Sequence, residues 1–274
     1  MKKSVLILSG GLDSVTLLHY IAKYRKEEVY PVAFIYGQKH SIEIKMAQHQ
    51  ADLLKTNNVH ELKIIDISFM KDLLKGSSAL IDDTIAVPTL KDVIGEPQPI
   101  TYVPYRNMLF LTMALSYAEA VGAENVYYGA QKHDEYSGYW DTTMYFVDAM
   151  NRVSSLNRLH DIQIKAPFVN LSKAEEIVIG QHLNIDYKKT WTSYKVVDEA
   201  NEIADAENPT SCDRIKAFAT VGIKDPCSYD KAIGWDTLFD TSIEDYSVVV
   251  NNDESIHSGN ILATAVLTAG RTLV

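Results

Sequence analysis

The chain has 274 residues, of which 46% are hydrophobic and 23% are charged, a composition typical of a globular protein with a substantial core. Asp and Glu number 36 against 26 Lys and Arg, so we expect no direct nucleic-acid partner, because backbone binding requires a basic face. Cys212 and Cys227 are the only cysteines, which excludes a disulfide framework and a four-thiolate zinc site.

The apolar run at the start of the sequence is too short for a signal peptide, because a polar, glycine-rich turn follows it at Ser9. No stretch approaches the roughly 18 apolar residues that span a bilayer. We therefore expect a cytoplasmic protein with no membrane partner.

Strand and helix patterns alternate along the first two thirds of the sequence. Apolar and β-branched runs predict strands at residues 4–8, 29–36, 60–67, 125–128 and 162–168. Apolar residues at helical spacing predict helices from residue 12 and over residues 40–55, 107–121, 143–154 and 172–180. This alternation predicts an α/β fold with a parallel sheet covered by helices on both faces, where ligands bind beyond the carboxyl ends of the strands.

Three further segments differ from this alternation. Residues 71–100 contain several Gly, Ser and Pro, which predicts a long surface loop that closes over a site. Residues 196–208 carry five acidic residues and no basic one, which favours a solvated helix or loop. From residue 240 the composition changes, and we expect an appended tail at residues 240–274 that contains a β-hairpin.

The most informative string is Ser9-Gly10-Gly11-Leu12-Asp13-Ser14, which lies between the first predicted strand and helix. Adjacent glycines let the backbone approach a ligand closely, the hydroxyls add donors, and a helix N-terminus presents free N–H groups to an anion. These features predict a phosphate site. Asp13 suits such a site only if it holds a magnesium ion that bridges the phosphates.

Two common nucleotide-binding motifs are absent from this string. It lacks the Lys of the Walker pattern and the three spaced glycines of the dinucleotide fingerprint, which disfavours a P-loop NTPase and a Rossmann dehydrogenase. The string instead resembles the PP-loop of the ATP pyrophosphatase superfamily, whose members cleave ATP between the α and β phosphates.

Further strings resemble the QueC family of 7-cyano-7-deazaguanine synthases, in the family's order and over about residues 1–239. They are Tyr36-Gly37-Gln38-Lys39-His40 followed by Glu43, Val103-Pro104-Tyr105-Arg106-Asn107, Tyr136-Ser137-Gly138-Tyr139 with Asp141, and Ser172-Lys173-Ala174-Glu175. The resemblance implies a Rossmann-like fold of the adenine nucleotide alpha hydrolase type. It implies a nucleotide-binding domain at residues 1–170 and a smaller helical region at residues 171–239.

The resemblance implies an ATP- and magnesium-dependent ligase. Such enzymes adenylate 7-carboxy-7-deazaguanine, displace AMP with ammonia to give the amide, and adenylate again to reach the nitrile, for queuosine or for a modified DNA base. A divergent branch in anti-phage operons is the alternative, in which the activated deazaguanine passes to a protein amine. A non-catalytic nucleotide-binding partner is a second alternative, and a homodimer is expected.

The matching positions give the candidate site residues. Ser9, Gly10, Gly11, Asp13 and Ser14 would hold the phosphates and magnesium. Arg106 would clamp phosphate or carboxylate, unless it forms a surface salt bridge, and Lys173 would neutralise charge during adenylation, unless it is solvated. The expected base pocket comprises Tyr36, Gln38, His40, Tyr136, Ser137, Gly138, Tyr139 and Asp141. His40 and His133 could also move protons or be structural.

The sequence departs from the family pattern at two places. Ser193, Asp205, Asn208 and Ser211 stand where family members carry four zinc-binding cysteines, so zinc is predicted to be absent and residues 191–218 to be held by packing. Tyr105, Trp140 and Thr142 stand where the family carries a Gly, a Pro and a Cys. The two bulky aromatics, Tyr105 and Trp140, predict a reshaped substrate or acceptor site, and together with the added tail they favour the divergent branch slightly.

Overall fold

Five parallel strands form the central sheet of the protein. The computed structural model describes residues 1–55, 58–96, 98–132, 139–242, 247–250 and 265–268. The strands, in the spatial order β3-β2-β1-β4-β5, are β1 (Lys3–Ile7), β2 (Glu28–Ile35), β3 (Lys63–Asp66), β4 (Asn125–Tyr127) and β5 (Gln163–Lys165). The predicted α/β fold is confirmed.

Helices cover both faces of this sheet. They are α1 (Leu12–His19, continued by a π-helical turn at Tyr20–Arg25), α2 (Ile42–Leu53), α3 (Met70–Leu73), α4 (Leu90–Val93), α5 (Arg106–Val121), α6 (Met144–Ser154), α7 (Lys173–His182), α8 (Pro209–Val221) and α9 (Trp235–Ser242). Adjacent residues of β1 point to opposite faces, so Val5 packs with Leu111 of α5, whereas Leu6 packs with Leu17 of α1.

The strand order reverses at β1. This strand pairs with β2 on one side and with β4 on the other, so the connections that follow β1 and β4 lie on opposite sides of the sheet. A crevice forms at such a point beyond the carboxyl ends of the strands, and it is where open parallel sheets bind ligands. The string at residues 9–14 follows β1 directly and therefore lies at this crevice.

The predicted helix starts are set by local capping. Ser172 caps α7 in a capping box, in which its hydroxyl accepts from the Glu175 N–H and the Glu175 carboxylate accepts from the Ser172 N–H at 2.7 Å. Thr143 caps α6 in the same way through the Phe146 N–H. Capping thus places Lys173 as the first residue of α7.

The acidic segment at residues 196–208 is not the solvated helix or loop that its composition favours. It contains β6 (Val196–Asp198) and β7 (Ile203–Ala204), which form a three-stranded sheet with β8 (Ser228–Tyr229). The prediction was wrong because lysines from other segments neutralise the run. Lys45 and Lys189 contact Glu202 at 2.8 and 3.2 Å, and Lys195 contacts Asp205 at 2.9 Å.

Two other segments agree with their sequence patterns. The predicted loop at residues 71–100 contains the single-turn helix α4, and the Leu90 N–H donates to the Glu207 carbonyl at 3.0 Å. In the tail, β9 (Ser247–Val250) and β10 (Ala265–Thr268) pair antiparallel.

The division of the chain at residue 170 stays a prediction. None of the helices in the described ranges combines the length and the apolar character needed to cross a membrane.

A hydrogen-bonded cluster, rather than packing alone, holds residues 191–218. Asn208 is its centre, because Nδ2 lies 2.9 Å from Ser193 Oγ, 3.0 Å from Ser211 Oγ and 2.8 Å from the Asp205 carbonyl. Its Oδ1 accepts from the Ser211 N–H and caps α8. All four residues are buried. Apolar packing of Trp191 and Phe218 also holds the segment, as predicted, and the polar cluster adds to it because four buried polar side chains supply hydrogen-bond partners to one another.

A buried ion pair ties α8 to the segments around it. Arg214 donates two bonds to the Asp225 carboxylate, at 2.6 and 3.0 Å, and both side chains are at most 1% exposed. The remaining guanidinium donors reach Thr190 Oγ1 at 2.8 Å and the Tyr187 carbonyl at 3.0 Å. The guanidinium is therefore fully engaged, which is the condition under which a buried charge is tolerated.

We predict that Arg214→Ala lowers the free energy of unfolding by about 3–5 kcal/mol, because it leaves the buried Asp225 carboxylate without its cationic partner. Denaturant unfolding of both proteins measures this difference. The matched control is Glu207→Gln, which removes the exposed pair with Lys231 and should change the unfolding free energy by less than about 1 kcal/mol. Equal effects of the two substitutions would contradict the prediction.

Candidate functional site

A cavity of about 630 Å³ opens at the carboxyl ends of the strands, a size that suits a small-molecule ligand. Most of the predicted site residues line it together: Ser9, Gly11, Asp13, Ser14, Tyr36, Gln38, His40, Arg106, Tyr139, Asp141 and Lys173. Gly10 lies behind the cavity wall. Tyr136, Ser137, Gly138 and His133 lie outside the described residues.

Gly10 is needed where the loop after β1 turns against α2. Its φ is +85°, and a Cβ added there would lie 2.2 Å from the Glu43 carbonyl oxygen and 2.8 Å from the Ala47 nitrogen. Both neighbours are helix backbone and cannot move away independently. The Gly10 carbonyl also accepts from the Trp191 N–H at 2.9 Å. The loop therefore has its shape because no side chain is present at this position.

The loop and the first turn of α1 present donors to the cavity. Ser9 Oγ and Ser14 Oγ lie 3.0 Å apart, and the Gly11 N–H points to Ser9 Oγ at 3.3 Å. Among the described residues, no partner accepts from the N–H groups of Asp13 and Ser14. Gly129 of the neighbouring loop approaches so closely that a Cβ there would lie 3.1 Å from the Ser14 nitrogen. These donors fit a phosphate group.

Lys173 is buried between two carboxylates at the edge of this loop. Its Nζ lies 2.8 Å from Asp213 Oδ2 and 3.7 Å from Asp13 Oδ1, and its side chain is 6% exposed, which excludes the solvated alternative. Burial alone would lower the pKa of Lys173, but Asp13 and Asp213 raise it above its usual value. The ammonium group is therefore a fixed positive charge beside the loop at residues 9–14, which is called the phosphate loop below.

Asp13 has the character that a magnesium site requires. Its Oδ1 is buried and makes no hydrogen bond within the described part of the chain. Glu176 lies beside it, and burial, with Asp13 next, raises the pKa of Glu176 well above its usual value, while Lys173 opposes the shift. No cluster of three or more metal-ligating side chains occurs in the described ranges. Asp13 therefore fits a magnesium ion whose other ligands come from phosphate and water.

Arg106 begins α5 and faces the cavity rather than the protein surface. Its guanidinium carbon lies 5.5 Å from the centre of the Tyr36 ring, and Nη1 donates to the Tyr36 hydroxyl at 3.3 Å. No carboxylate of the described residues lies within salt-bridge distance of it, so the surface salt-bridge alternative is wrong. A guanidinium with free paired donors suits an oxyanion.

Aromatic rings and one buried carboxyl form the wall beyond Arg106. The Tyr139 and Thr101 hydroxyls lie 2.7 Å apart, and the Tyr139 ring stacks on Tyr102 with centroids at 6.4 Å. Asp141 is 3% exposed, and burial raises its pKa although Arg106 opposes the shift. This wall offers a flat apolar surface with one acceptor at its edge, which fits a purine-like base.

Gln38 and His40 contribute less chemistry than the sequence suggests. The Gln38 amide is engaged by backbone, since Oε1 accepts from the Tyr36 N–H at 2.8 Å and Nε2 donates to the Phe34 carbonyl at 3.2 Å. Burial lowers the pKa of His40, and its Nδ1 makes no hydrogen bond to any described residue. Gln38 therefore shapes the wall, and His40 presents a neutral ring.

Tyr105 and Trp140 do not narrow the cavity. Tyr105 is 59% exposed, Trp140 is 40% exposed, and the two rings contact each other at 5.8 Å outside the cavity lining. Tyr105 has a φ of 54°, so the position where the family carries glycine keeps a left-handed backbone. The expectation of a reshaped acceptor site at these residues is wrong, because the local turn points both rings outward.

The four positions equated with zinc cysteines do not fit zinc. Zinc takes Cys, His or carboxylate ligands, whereas Ser193, Asp205, Asn208 and Ser211 offer one carboxylate, two hydroxyls and an amide. The Asn208 amide donors also occupy the centre of the cluster, where a cation would have to lie. These residues satisfy one another's hydrogen bonds instead.

Several residues that line or support the cavity carry no signal in the sequence that would predict their place there. Thr192 Oγ1 accepts from the Leu12 N–H at 3.0 Å, and Asp213 holds Lys173, although both lie far from residue 12 in the sequence. Glu43 lines the cavity from α2, and only its place in a resembling string drew attention to it. Gly129 lies in no recognised sequence motif. Long-range packing assembles these residues, so no local pattern marks them.

Comparisons with known proteins agree with this geometry. A family model described as "Queuosine biosynthesis protein QueC" matches residues 3–222. A 7-cyano-7-deazaguanine synthase from Caldicellulosiruptor saccharolyticus is 40% identical over 234 residues, covering 85% of this chain and 98% of that protein. One from Clostridium kluyveri is 41% identical over 243 residues, covering 84% and 98%. The family model matches most of the chain, and both relatives are covered almost completely at about 40% identity. The chain therefore belongs to the QueC family.

Proposed function

We propose that this protein uses ATP and ammonia to convert 7-carboxy-7-deazaguanine into 7-cyano-7-deazaguanine through the amide, and that it releases AMP and pyrophosphate. The observation that carries the proposal is that one cavity brings together the loop at residues 9–14, the cations Lys173 and Arg106, and an aromatic wall. The similarity to proteins named 7-cyano-7-deazaguanine synthase supports the choice of substrate.

The loop residues would bind the phosphates of ATP. The N–H groups of Asp13 and Ser14 and the hydroxyls of Ser9 and Ser14 supply the donors, and Asp13 would ligate magnesium. Magnesium would neutralise phosphate charge and stabilise the leaving pyrophosphate. Lys173 lies beside Asp13, so its ammonium group would offset the negative charge that grows on the phosphates in the transition state.

The opposite wall would bind the base and present its carboxylate. Tyr139 and Tyr36 supply aromatic faces, and the Asp141 carboxyl can accept hydrogen bonds from the amino and ring N–H groups of a guanine-like base. Arg106 stands between this wall and the phosphate loop, where it would orient the carboxylate toward the α-phosphorus.

The proposed reaction proceeds through two rounds of adenylation. A carboxylate oxygen attacks the α-phosphorus and pyrophosphate leaves, after which ammonia attacks the acyl carbon, loses a proton and displaces AMP to give the amide. The amide oxygen is then adenylated, and loss of AMP and of the remaining nitrogen protons gives the nitrile. Adenylation is required because an unmodified carboxylate oxygen is a poor leaving group.

Mass spectrometry of products tests the proposal. The protein is incubated with ATP, magnesium, 7-carboxy-7-deazaguanine and ammonium, with a lysine-containing protein mixture in a parallel sample. Nitrile formation in the first sample is the expected result. A mass increase on a protein in the second sample, without nitrile in the first, would instead support transfer to a protein amine. Absence of both products would support a non-catalytic nucleotide-binding partner.

We predict that Asp13→Asn lowers the rate of AMP and pyrophosphate release by about 100-fold or more, because the variant loses the carboxylate that binds magnesium. The fold should be retained, since Asp213 still pairs with Lys173 at 2.8 Å and an amide keeps the shape of the Asp13 side chain. Chromatography of nucleotides measures the products, and the exposed Asp148→Asn is the control. Release of ADP and phosphate by the unchanged protein would contradict the phosphate-loop assignment.

We predict that the purified protein contains no stoichiometric zinc, because Ser193, Asp205, Asn208 and Ser211 already satisfy one another. Elemental analysis of protein purified without chelator measures the zinc content. Incubation with a strong chelator should leave the unfolding temperature unchanged. One tightly bound zinc ion per chain would show that other residues hold the metal.

A further inference from the structure

Glu43 is a cavity carboxyl with no structural task of its own. It lies in the first turn of α2, lines the cavity, and makes no hydrogen bond or ion pair within the described part of the chain. The other carboxyls that line the cavity are engaged: Asp13 and Asp213 with Lys173, and Asp141 with Asn107. Glu43 is therefore free to accept a hydrogen bond or a proton from a ligand.

The position of Glu43 is rigid although its side chain is free. Its neighbour Ile42 is fully buried, and its own carbonyl oxygen lies against Gly10 of the phosphate loop. The carboxyl group therefore projects into the cavity from a helix whose first turn is fixed to the loop that would hold ATP. A group that acts at the reacting carbon requires this kind of support.

The surroundings of Glu43 make it a base of suitable strength. Burial raises the pKa of its carboxyl to about 7, and Arg106 opposes the shift. Arg106 and Tyr36 are the titratable groups that interact with it directly, and the other charged side chains that line the cavity are Asp13, Lys39, Asp141, Lys173, Asp213 and Lys216. Such a carboxyl is half ionised near neutral pH, which favours it as a general base.

We propose that Glu43 accepts the proton that the nitrogen nucleophile loses when it attacks the adenylated substrate. The N–C bond forms, the proton passes from nitrogen to a carboxylate oxygen of Glu43, and AMP leaves with the electron pair of the C–O bond. The proton then passes to solvent through the open side of the cavity. This role rests on the proposed function and adds to it a proton acceptor for the second half of the reaction.

His40 is the other candidate base among the described cavity residues. Burial lowers its pKa below the usual value, so it is a weaker proton acceptor than Glu43. It also lies against Trp191, with ring centroids 6.3 Å apart, which supports a packing role. The geometry and the basicity of the two groups both favour Glu43.

Two half-reactions measured separately test the role of Glu43. Exchange of labelled pyrophosphate into ATP, with 7-carboxy-7-deazaguanine and without ammonia, reports adenylation. Amide formation in a single turnover reports nitrogen attack, and the concentration of free ammonia is held constant at every pH. In the unchanged protein, the rate of amide formation should rise tenfold per pH unit at acid pH and level off above about pH 7, where Glu43 is ionised.

We predict that Glu43→Gln lowers the rate of amide formation by about 100-fold or more and removes this rise with pH, while pyrophosphate exchange continues. Continued exchange also shows that the variant is folded. Glu43→Asp, which keeps the carboxyl but shortens its reach, should give an intermediate rate with a pH-dependent rise. The exposed Glu61→Gln is the matched control and should behave as the unchanged protein.

Three results would overturn the proposal. Unchanged amide formation in Glu43→Gln would show that another group takes the proton. The same conclusion would follow if His40→Asn, and not Glu43→Gln, lost the rise of the rate with pH. Equal loss of exchange and amide formation would place Glu43 in adenylation. If the unchanged protein shows no pyrophosphate exchange, the proposed function itself fails, an outcome that the exchange assay separates from failure of Glu43 alone.

Discussion

The absence of a side chain at Gly10 is the constraint on which the candidate site depends. Backbone of α2 lies where a Cβ would be, and the Trp191 N–H binds the Gly10 carbonyl from the opposite side. Three segments that are distant in sequence therefore meet at one residue. The phosphate loop is held by α2 and by residues 191–192, so its shape depends on parts of the chain that contain no phosphate-binding motif.

The cavity does not share the acidic balance of the whole chain, because four cations and four carboxyl groups line it. The chain has a formal net charge of −10, yet Arg106 and Lys173 both line the cavity. Lys173 is held there by Asp13 and Asp213, while burial raises the pKa of the neighbouring Glu176 carboxyl. An acidic surface is thus compatible with a cavity that attracts phosphate and carboxylate groups, because the two cations lie where solvent screens them weakly.

The sequence predicted those features of the fold that depend on residues close together in the chain. Alternating strand and helix patterns predicted the parallel sheet, and Ser172 marked the start of α7, so the sequence placed Lys173 and the loop at residues 9–14 where they line the cavity. Asp213 and Thr192 could not be found, because tertiary packing brings them to residues 173 and 12. The acidic run at residues 196–208 was misjudged because two of the lysines that pair with it, Lys45 and Lys189, lie outside the segment. Tyr105 and Trp140 were misjudged because a turn decides which way a ring points.

The cluster around Asn208 has a consequence for how this region behaves in the cell. A segment closed by thiolates and a metal folds only where the metal is supplied and the thiols are reduced and deprotonated. Hydroxyl and amide groups need neither condition, and oxidants that convert thiolates to sulfenic acids or disulfides have no target at these four positions. The hydrogen bonds of this cluster are therefore expected to persist when metal is scarce or when thiols elsewhere are oxidised.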